Sequence, residues 1–441
     1  MPGPFIETLP PTDLLPGKVD VVVIGGGIIG LFTALEIRER GLSVALVEKG
    51  EVGAEQSSRN WGWVRIGRRD PREIPLVVEA QRMWLDLDRR LQGVTGYTRT
   101  GIVFTAQNDT EKDRQETWLK HAMLFQIQAR KLNAEQLNER FAGSQLGPMS
   151  GFYCEQDGRA EPQLTLPLLA KAVRRAGVSV LPNCAARSVE TSGGRVSSVV
   201  TEKGEIKCAS VVVAAGAWSS LFCRNLGIDL PQLSVLSSVL RTEPSEQTLE
   251  HALWTADFSI RKRADGGFTV ASGSRSVVDI VPDSFRYAKQ FLPNLKAEWN
   301  SLEFRVGERS FQELRHRSQW SNDAVTLFEQ QRVRDPKPVD KQVLLGFKKL
   351  KGAFPRLADL KVAQIWAGLI DVTPDVIPVI SEVDSVPGFH LATGFSGHGF
   401  GIAPGAGRLM ADIVTGNIPI VDAHSFRFSR FHDGSPIILE H

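Results

Sequence analysis

The sequence predicts an α/β protein of two domains, one of them split along the chain. Three observations carry that reading. The first is a strand, glycine turn, helix and second strand at residues 19–50, VDVVVIGGGIIGLFTALEIRERGLSVALVEKG. The second is the return of strand-and-glycine pieces at 211–219 (VVVAAGAWS) and 388–416 (GFHLATGFSGHGFGIAPGAGRLMADIVTG). The third is length: 441 residues exceed what one hydrophobic core usually organises.

In the first unit an apolar strand, Val19 to Ile24, runs into Gly25, Gly27 and Gly30, spaced G-x-G-x-x-G. A helical pattern from Leu31 to Arg40 follows, then a strand from Ser43 to Val47 that ends at Glu48. That context makes the unit a Rossmann-like dinucleotide site. Gly25 permits the tight turn. Gly27 lets the backbone approach a pyrophosphate, whose charge sits at the helix N-terminus beside Ile28 and Ile29. Gly30 lets helix and strand pack closely. Glu48, with Lys49 next to it, accepts from the ribose hydroxyls and repels a 2′-phosphate, which disfavours NADP. The motif alone does not separate NAD from FAD.

Composition narrows the function classes. Apolar residues at 42% and charged residues at 23% are ordinary globular values. The net charge of +2 is small for a dedicated nucleic-acid binder. The N-terminus MPGPFIETLPPTDLLPGK lacks a charged region followed by an apolar core, so it does not read as a signal peptide. No apolar run approaches the roughly 18–20 residues of a membrane span. Cys154, Cys184, Cys208 and Cys223 form no C-x-x-C pair, and the eight histidines show no metal spacing, so no metal is expected. A cytoplasmic chain fits, with peripheral membrane docking still compatible.

The spread of the dinucleotide pieces argues for FAD. A β-rich run from Ser179 to Val200, with a hairpin at 192–194, precedes VVVAAGAWS. A continuous NAD domain does not need pieces near the start, middle and end of the chain. An FAD that runs through the whole first domain does.

With DGRAEPQLTLPLLAKA (157–172) and GLIDVTPDVIPVI (368–380) added, the chain resembles the D-amino-acid oxidase superfamily of FAD-dependent amine oxidoreductases, which includes glycine oxidase, sarcosine oxidase and D-amino-acid dehydrogenases. The resemblance implies an FAD-binding domain assembled from 18–85, 155–221 and 346–425. It implies a substrate-binding domain with a mixed β-sheet from 86–154 and 222–345, and terminal extensions at 1–17 and 426–441. The sheet roofs one face of the flavin, with strands such as 258–273 and a hairpin at Asp265–Gly267. A helical region is expected around 284–318. Ala215, Gly216, Trp218 and Gly368 fall on the cofactor-binding pieces.

Residues 57–70, SSRNWGWVRIGRRD, look at first like an aromatic stacking platform in a basic patch, as single-strand binders use. In the resembling family the chain crosses the FAD at this distance from Glu48. Ser57, Ser58, Arg59 and Asn60 are then expected at the pyrophosphate and ribityl chain, and Gly62 close to the ring. Trp61 and Trp63 are expected near the ring or the slot wall. Arg68, Arg69 and Arg72 read as surface charges.

A flavin that accepts a hydride needs positive electrostatics prepared in advance. Gly397, His398, Gly399, Phe400 and Gly401 are the expected ring-edge residues. An amino acid needs its carboxylate anchored, usually by an arginine fork. Many family members carry A-G-x-R-P-x-T-P-D; this chain has AGLIDVTPD (367–375), with Ile370 at the arginine position and Asp371 at the proline. Arg65, Arg261 and Arg275 are the replacement candidates, and Asp371 is a candidate for a cationic amine. Trp218, Trp254, Trp366 and Phe395 are candidates for an apolar slot, and Lys262 and Lys348 for a charge that promotes reaction with oxygen. Covalent FAD in the family uses a cysteine near 368–371 or a histidine in the first loop. Neither occurs here, so dissociable FAD is expected.

The expected reaction is oxidation of an amino acid C–N bond by hydride transfer to flavin N5. The imine then hydrolyses to a keto acid and amine or ammonia, with oxygen or a quinone as electron acceptor. The alternatives on the same scaffold are a secondary or polyamine-type amine, or a 2-hydroxy acid. A homo-oligomer is compatible with the sequence.

Overall fold

The computed structural model describes residues 3–10, 14–147, 149–273, 276–315 and 319–440. Arg275, one of the anchor candidates, lies outside them. The N-terminal unit folds as β1 (Val21–Ile24), α1 (Ile28–Glu39) and β2 (Val44–Val47). All eight strand residues are buried, as expected for parallel strands covered on both faces. The six-stranded sheet runs Val379–Glu382, Phe389–Thr393, Ser210–Val213, β1, β2, Ser179–Leu181. Every neighbouring pair is parallel except the antiparallel pair at Val379–Glu382. The three sequence pieces that suggested one split domain therefore lie side by side in one sheet.

Small residues set the spacing of this layer. A Cβ at Gly30 would collide with the carbonyl oxygen of Gly25, so only glycine lets α1 leave the turn so closely. The helix Gly399–Thr415 packs on α1 through Gly407, where a Cβ would lie 2.6 Å from Phe32 Cβ. Through Gly405 it packs on the helix Ile74–Leu85, where a Cβ would lie 2.8 Å from the Leu76 carbonyl.

The second sheet has ten strands and is mostly antiparallel, with parallel pairs at Ala252–Trp254/Ile102–Ala106 and Ser276–Asp279/Leu302–Arg305. The expected hairpin joins Phe258–Lys262 to Phe268–Ser272. The expected helical region contains Pro282–Arg286, Ala288–Glu298 and Glu308–Leu314, interrupted by the strand Leu302–Arg305. The boundary expected at 346 falls inside the helix Asp340–Ala353. The next strand, Val362–Val372, pairs with Leu233–Thr242 along its length, so the chain stays with the ten-stranded sheet to Val372. A backbone ladder of that length is not visible in composition.

Both termini pack against the body. Ile6 and Leu9 are buried, as are Phe426 and Phe428. Arg430 forms a buried bidentate pair with Asp375 at 2.8 and 3.1 Å. No helix of the described residues is long and apolar enough to cross a membrane.

Candidate active site

A cavity of about 410 Å³ runs from Glu48 and Ala186 at one end to Phe395 and His398 at the other. Both sheets line it: the six-stranded sheet contributes its turns, and the ten-stranded sheet contributes Ser237, Val239 and Ser272.

The expected dinucleotide residues Gly25, Gly27, Ile28, Ile29 and Glu48 line the cavity. Glu48 is half-buried, and its two oxygens accept from the N–H groups of Gly26 (2.7 Å) and Gly50 (2.8 Å). Burial pushes its pKa up, against the pull of Lys49 and those two N–H donors. Gly25 and Gly27 face the cavity with Ile28 and Ile29. Ser57 Oγ accepts from Ile28 N–H at 2.9 Å, which places a hydroxyl at the N-terminus of α1. An acid at one end, a helix N-terminus with a hydroxyl in the middle, and glycine loops and aromatics beyond fit the successive ribose, pyrophosphate and ring portions of FAD. Replacing Ser57 with Ala removes the hydroxyl from that N-terminus. The variant is expected to hold FAD about tenfold more weakly, measured by fluorescence on dilution of the holoenzyme; unchanged retention would contradict the assignment.

Several predicted cofactor residues have other jobs. Lys49 donates to Glu55 (2.7 Å) and to the carbonyls of Gln331 and Arg332 (2.9 Å each), holding that segment over the cavity mouth. Arg59 reaches Asp335 (2.5 Å) and the Ala367 carbonyl (2.9 Å) while still lining the cavity. Asn60 closes a turn between Ser57 and Gly62. Ser58 does not reach the cavity; it is buried, with its hydroxyl on the Glu55 carbonyl (3.1 Å). Gly62 is not on the cavity wall either. Its φ of +76° and the closeness of Ala160 and Arg261 explain why it is glycine. Ala215, Gly216, Trp218 and Gly368 do line the cavity, and Trp218 Nε1 donates to Glu55 at 2.9 Å.

At the far end lie Gly397, His398, Gly399, Phe400 and Gly401, together with Trp61 and Trp63, whose rings meet edge-to-face at 5.2 Å. His398 Nδ1 is 3.5 Å from Glu73 Oε2. Ile370 lines the cavity beside Gly397, in the place where an arginine was expected.

The arginines are redistributed. Arg261 is 1% exposed and does not line the cavity. Its guanidinium forms a bidentate pair with Glu161 (2.7 and 3.1 Å) and donates to the Trp61 carbonyl. It clamps the roof strand to the segment beneath. Asp371 faces the cavity, but its carboxylate accepts from Gly394 N–H (2.8 Å) and Gln232 Nε2 (3.1 Å). It ties two backbone segments together. Burial pushes its pKa up.

Arg65 lines the cavity, and so does Arg69, which the charge run had marked as surface. Arg69 is 2% exposed. The left-handed backbone at Arg68, φ +58°, turns this run inward. Arg68 stacks on Trp254 at 4.1 Å, and Trp118 Nε1 donates to the Arg69 carbonyl at 2.9 Å. Arg72 pairs with Asp70 at 2.7 Å. Burial, reinforced by Arg65, lowers the Arg69 pKa to about 9 and that of Arg68 to about 10. Arg69 Nη1 and Trp63 Nε1 are buried donors without a hydrogen-bond partner among the described residues. Both residues share the cavity wall with Arg65, and such donors are suited to an anion.

Of the remaining candidates, Phe395 and Trp218 line the cavity, whereas Trp254 and Trp366 do not. Trp366 is buried with Nε1 on the Arg59 carbonyl at 2.9 Å. Lys262 donates to three backbone carbonyls, and Lys348 is exposed on a helix; neither lines the cavity.

The chain matches the family described as DAO, FAD dependent oxidoreductase, over residues 20–413. It is 26% identical to glycine oxidase of Pseudomonas aeruginosa over 413 residues, covering 91% of this chain and 96% of that protein. It is 23% identical to the sarcosine oxidase subunit beta of Rhodobacter capsulatus, over 95% of this chain and 89% of that one. Among solved structures it is similar to L-amino acid deaminase from Proteus myxofaciens in complex with anthranilate. There the identity is 33%, the TM-score 0.91, and the coverage 97% of this chain and 96% of that one. Its cofactor is FAD, and it is an enzyme, an FAD-dependent amino acid/amine oxidoreductase. The chain belongs to the DAO family of FAD-dependent oxidoreductases.

Proposed function

We propose that this enzyme oxidises the Cα–N bond of an α-amino acid bearing a primary amine, giving an imine that hydrolyses to a keto acid and ammonia. The observation that carries the reading is the unpartnered, buried Nη1 of Arg69, a residue that shares the cavity wall with Arg65 and Trp63. A carboxylate is the anion a small amine substrate brings, and a guanidinium fork holds it in one orientation. Arg65 and Arg69 would bind that carboxylate. Ile370, Phe395 and Val239, also on the cavity wall, would exclude water around the Cα–H bond. FAD, when bound without a covalent link, supplies the hydride acceptor.

The likeness to an L-amino acid deaminase supports an amino-acid substrate. Cationic polyamines are disfavoured by two buried positive charges. N-methyl amino acids and 2-hydroxy acids would use the same anchor and are separated by product. Anaerobic mixing with L- and D-amino acids, N-methyl amino acids and 2-hydroxy acids, followed by nitrogen analysis, tests the reading. Flavin bleaching with ammonia release is expected. Bleaching only by 2-hydroxy acids, or methylamine as the sole nitrogen product, would overturn it. The rate of re-oxidation by air then separates oxygen from a quinone as acceptor.

A further inference from the structure

Glu73 precedes the helix Ile74–Leu85 and is 1% exposed. Neither carboxylate oxygen accepts a hydrogen bond from a described residue. An ionised carboxylate buried in that way is costly, and burial pushes its pKa up. Arg65, Arg69 and Arg72 face it from the preceding loop, Asp375 from the segment after the strand Val362–Val372, and His398 from the glycine loop. Apart from Arg69 Nη1, which has no partner among the described residues, the hydrogen bonds of those arginines go elsewhere. Arg72 is forked onto Asp70 (2.7 and 2.9 Å), Arg69 donates to the carbonyls of Arg65 and His398 (3.3 Å each), and Arg65 donates to the Gly67 carbonyl. Asp375 is held by Arg430. Glu73 does not line the cavity; His398 does, and its Nδ1 lies 3.5 Å from Glu73 Oε2. The imidazole therefore stands between the cofactor site and a carboxylate sealed behind it. Amine oxidation as described above makes no use of that carboxylate.

We propose that Glu73 and His398 form one proton-holding pair, which takes up a proton from solvent when the bound FAD is reduced. Reduction by two electrons and one proton leaves a negative charge in a cavity with few mobile counter-ions. A second proton, taken by the pair, balances that charge, so two electrons enter with two protons in total. No reactant beyond the electron donor and solvent is needed. His398 faces the cofactor site directly. Glu73 is a positioning residue that acts through the imidazole by fixing the ring and holding charge behind it. The inference rests on FAD in this cavity and not on the choice of substrate.

The test is the midpoint potential of the holoenzyme's FAD against pH, over about pH 6–9, with a dye-mediated chemical reductant. Two protons per two electrons give a slope of about 59 mV per pH unit, and one proton gives about 30 mV. The wild type is expected to show the steeper slope within that range while the spectrum of its reduced flavin is the anionic one. Glu73→Gln and His398→Asn are each expected to fall to the shallower slope with FAD retained, and Glu73→Asp to recover part of the steepness. The two positions are read separately, so loss of flavin from one variant leaves the other to decide. A shallow slope in the wild type would overturn the proposal. So would a steep slope unchanged in the variants, or a neutral reduced-flavin spectrum that puts the second proton on the ring. No amine is used, so failure here leaves the substrate reading intact. Failure of the amine panel equally leaves this measurement decisive.

Discussion

Replacing Arg69 with Met lowers kcat/KM for α-amino acids about 100- to 1000-fold, while reduction by an amine that lacks a carboxylate changes little. Removing one partner of a buried, hydrogen-bonded charge pair costs about 3–4 kcal/mol, and each 1.36 kcal/mol is about tenfold in rate. Arg69 Nη1 has no partner among the described residues to soften the loss. Arg69→Lys keeps the charge but not the planar fork, so it recovers only part of the activity. Burial and Arg65 pull the Arg69 pKa down from the ordinary arginine value, but a guanidinium stays charged through the working pH range.

The second large effect is on stability. Arg261→Met removes the bidentate partner of buried Glu161, leaving it Arg159 at 3.5 Å and the Ala264 N–H at 2.9 Å, and is expected to cost about 3 kcal/mol of unfolding free energy. Arg261→Met with Glu161→Met removes both charges and recovers most of it. Burial alone would raise the Glu161 pKa. Arg261, by its charge and its hydrogen bonds, outweighs that, with Arg263 and the Ala264 N–H adding to it, and the value is lowered. A lowered carboxylate stabilises the fold above its unfolded pKa, about 4.3, and that contribution is lost as pH falls through the folded value. The gap between wild type and Arg261→Met therefore narrows in acid, where the variant's poorly paired Glu161 is also neutralised. Urea unfolding at neutral and acidic pH measures both. An equal gap at the two pH values would show that the pair is not the source.

The contrast between these two arginines shows what the sequence could reveal. The βαβ unit was legible because its pattern is local: Gly30 meets the Gly25 carbonyl within a single turn, although Gly25 itself abuts Ala214 from a distant segment. Arg261 was expected at the ring because strand alternation places it on a face. Alternation does not say which face meets the cofactor or that Glu161, a hundred residues earlier, lies opposite. Arg69 was read as a surface charge because four arginines within eleven residues look solvated. One left-handed residue, Arg68, and the rings of Trp118 and Trp254 turn that run inward, and none of these contacts is a local pattern. Glu73 gave no signal, since an acid just before an apolar helix such as IPLVV reads as an ordinary residue at a helix N-terminus. Its burial comes from loops far away in the chain.

These residues make the account specific. The proposed dinucleotide residues follow a glycine-and-strand pattern that recurs in many flavoproteins, whereas the proposed anion site at Arg65 and Arg69 comes from a run without that pattern. The most direct measurement compares anaerobic flavin reduction by matched pairs, each an L-amino acid and the amine left when its carboxylate is removed, in wild type and Arg69→Met. The account predicts that the amino acid is preferred by about 100-fold or more in the wild type and that the preference collapses in the variant. Equal reduction by both members of each pair in the wild type would contradict it.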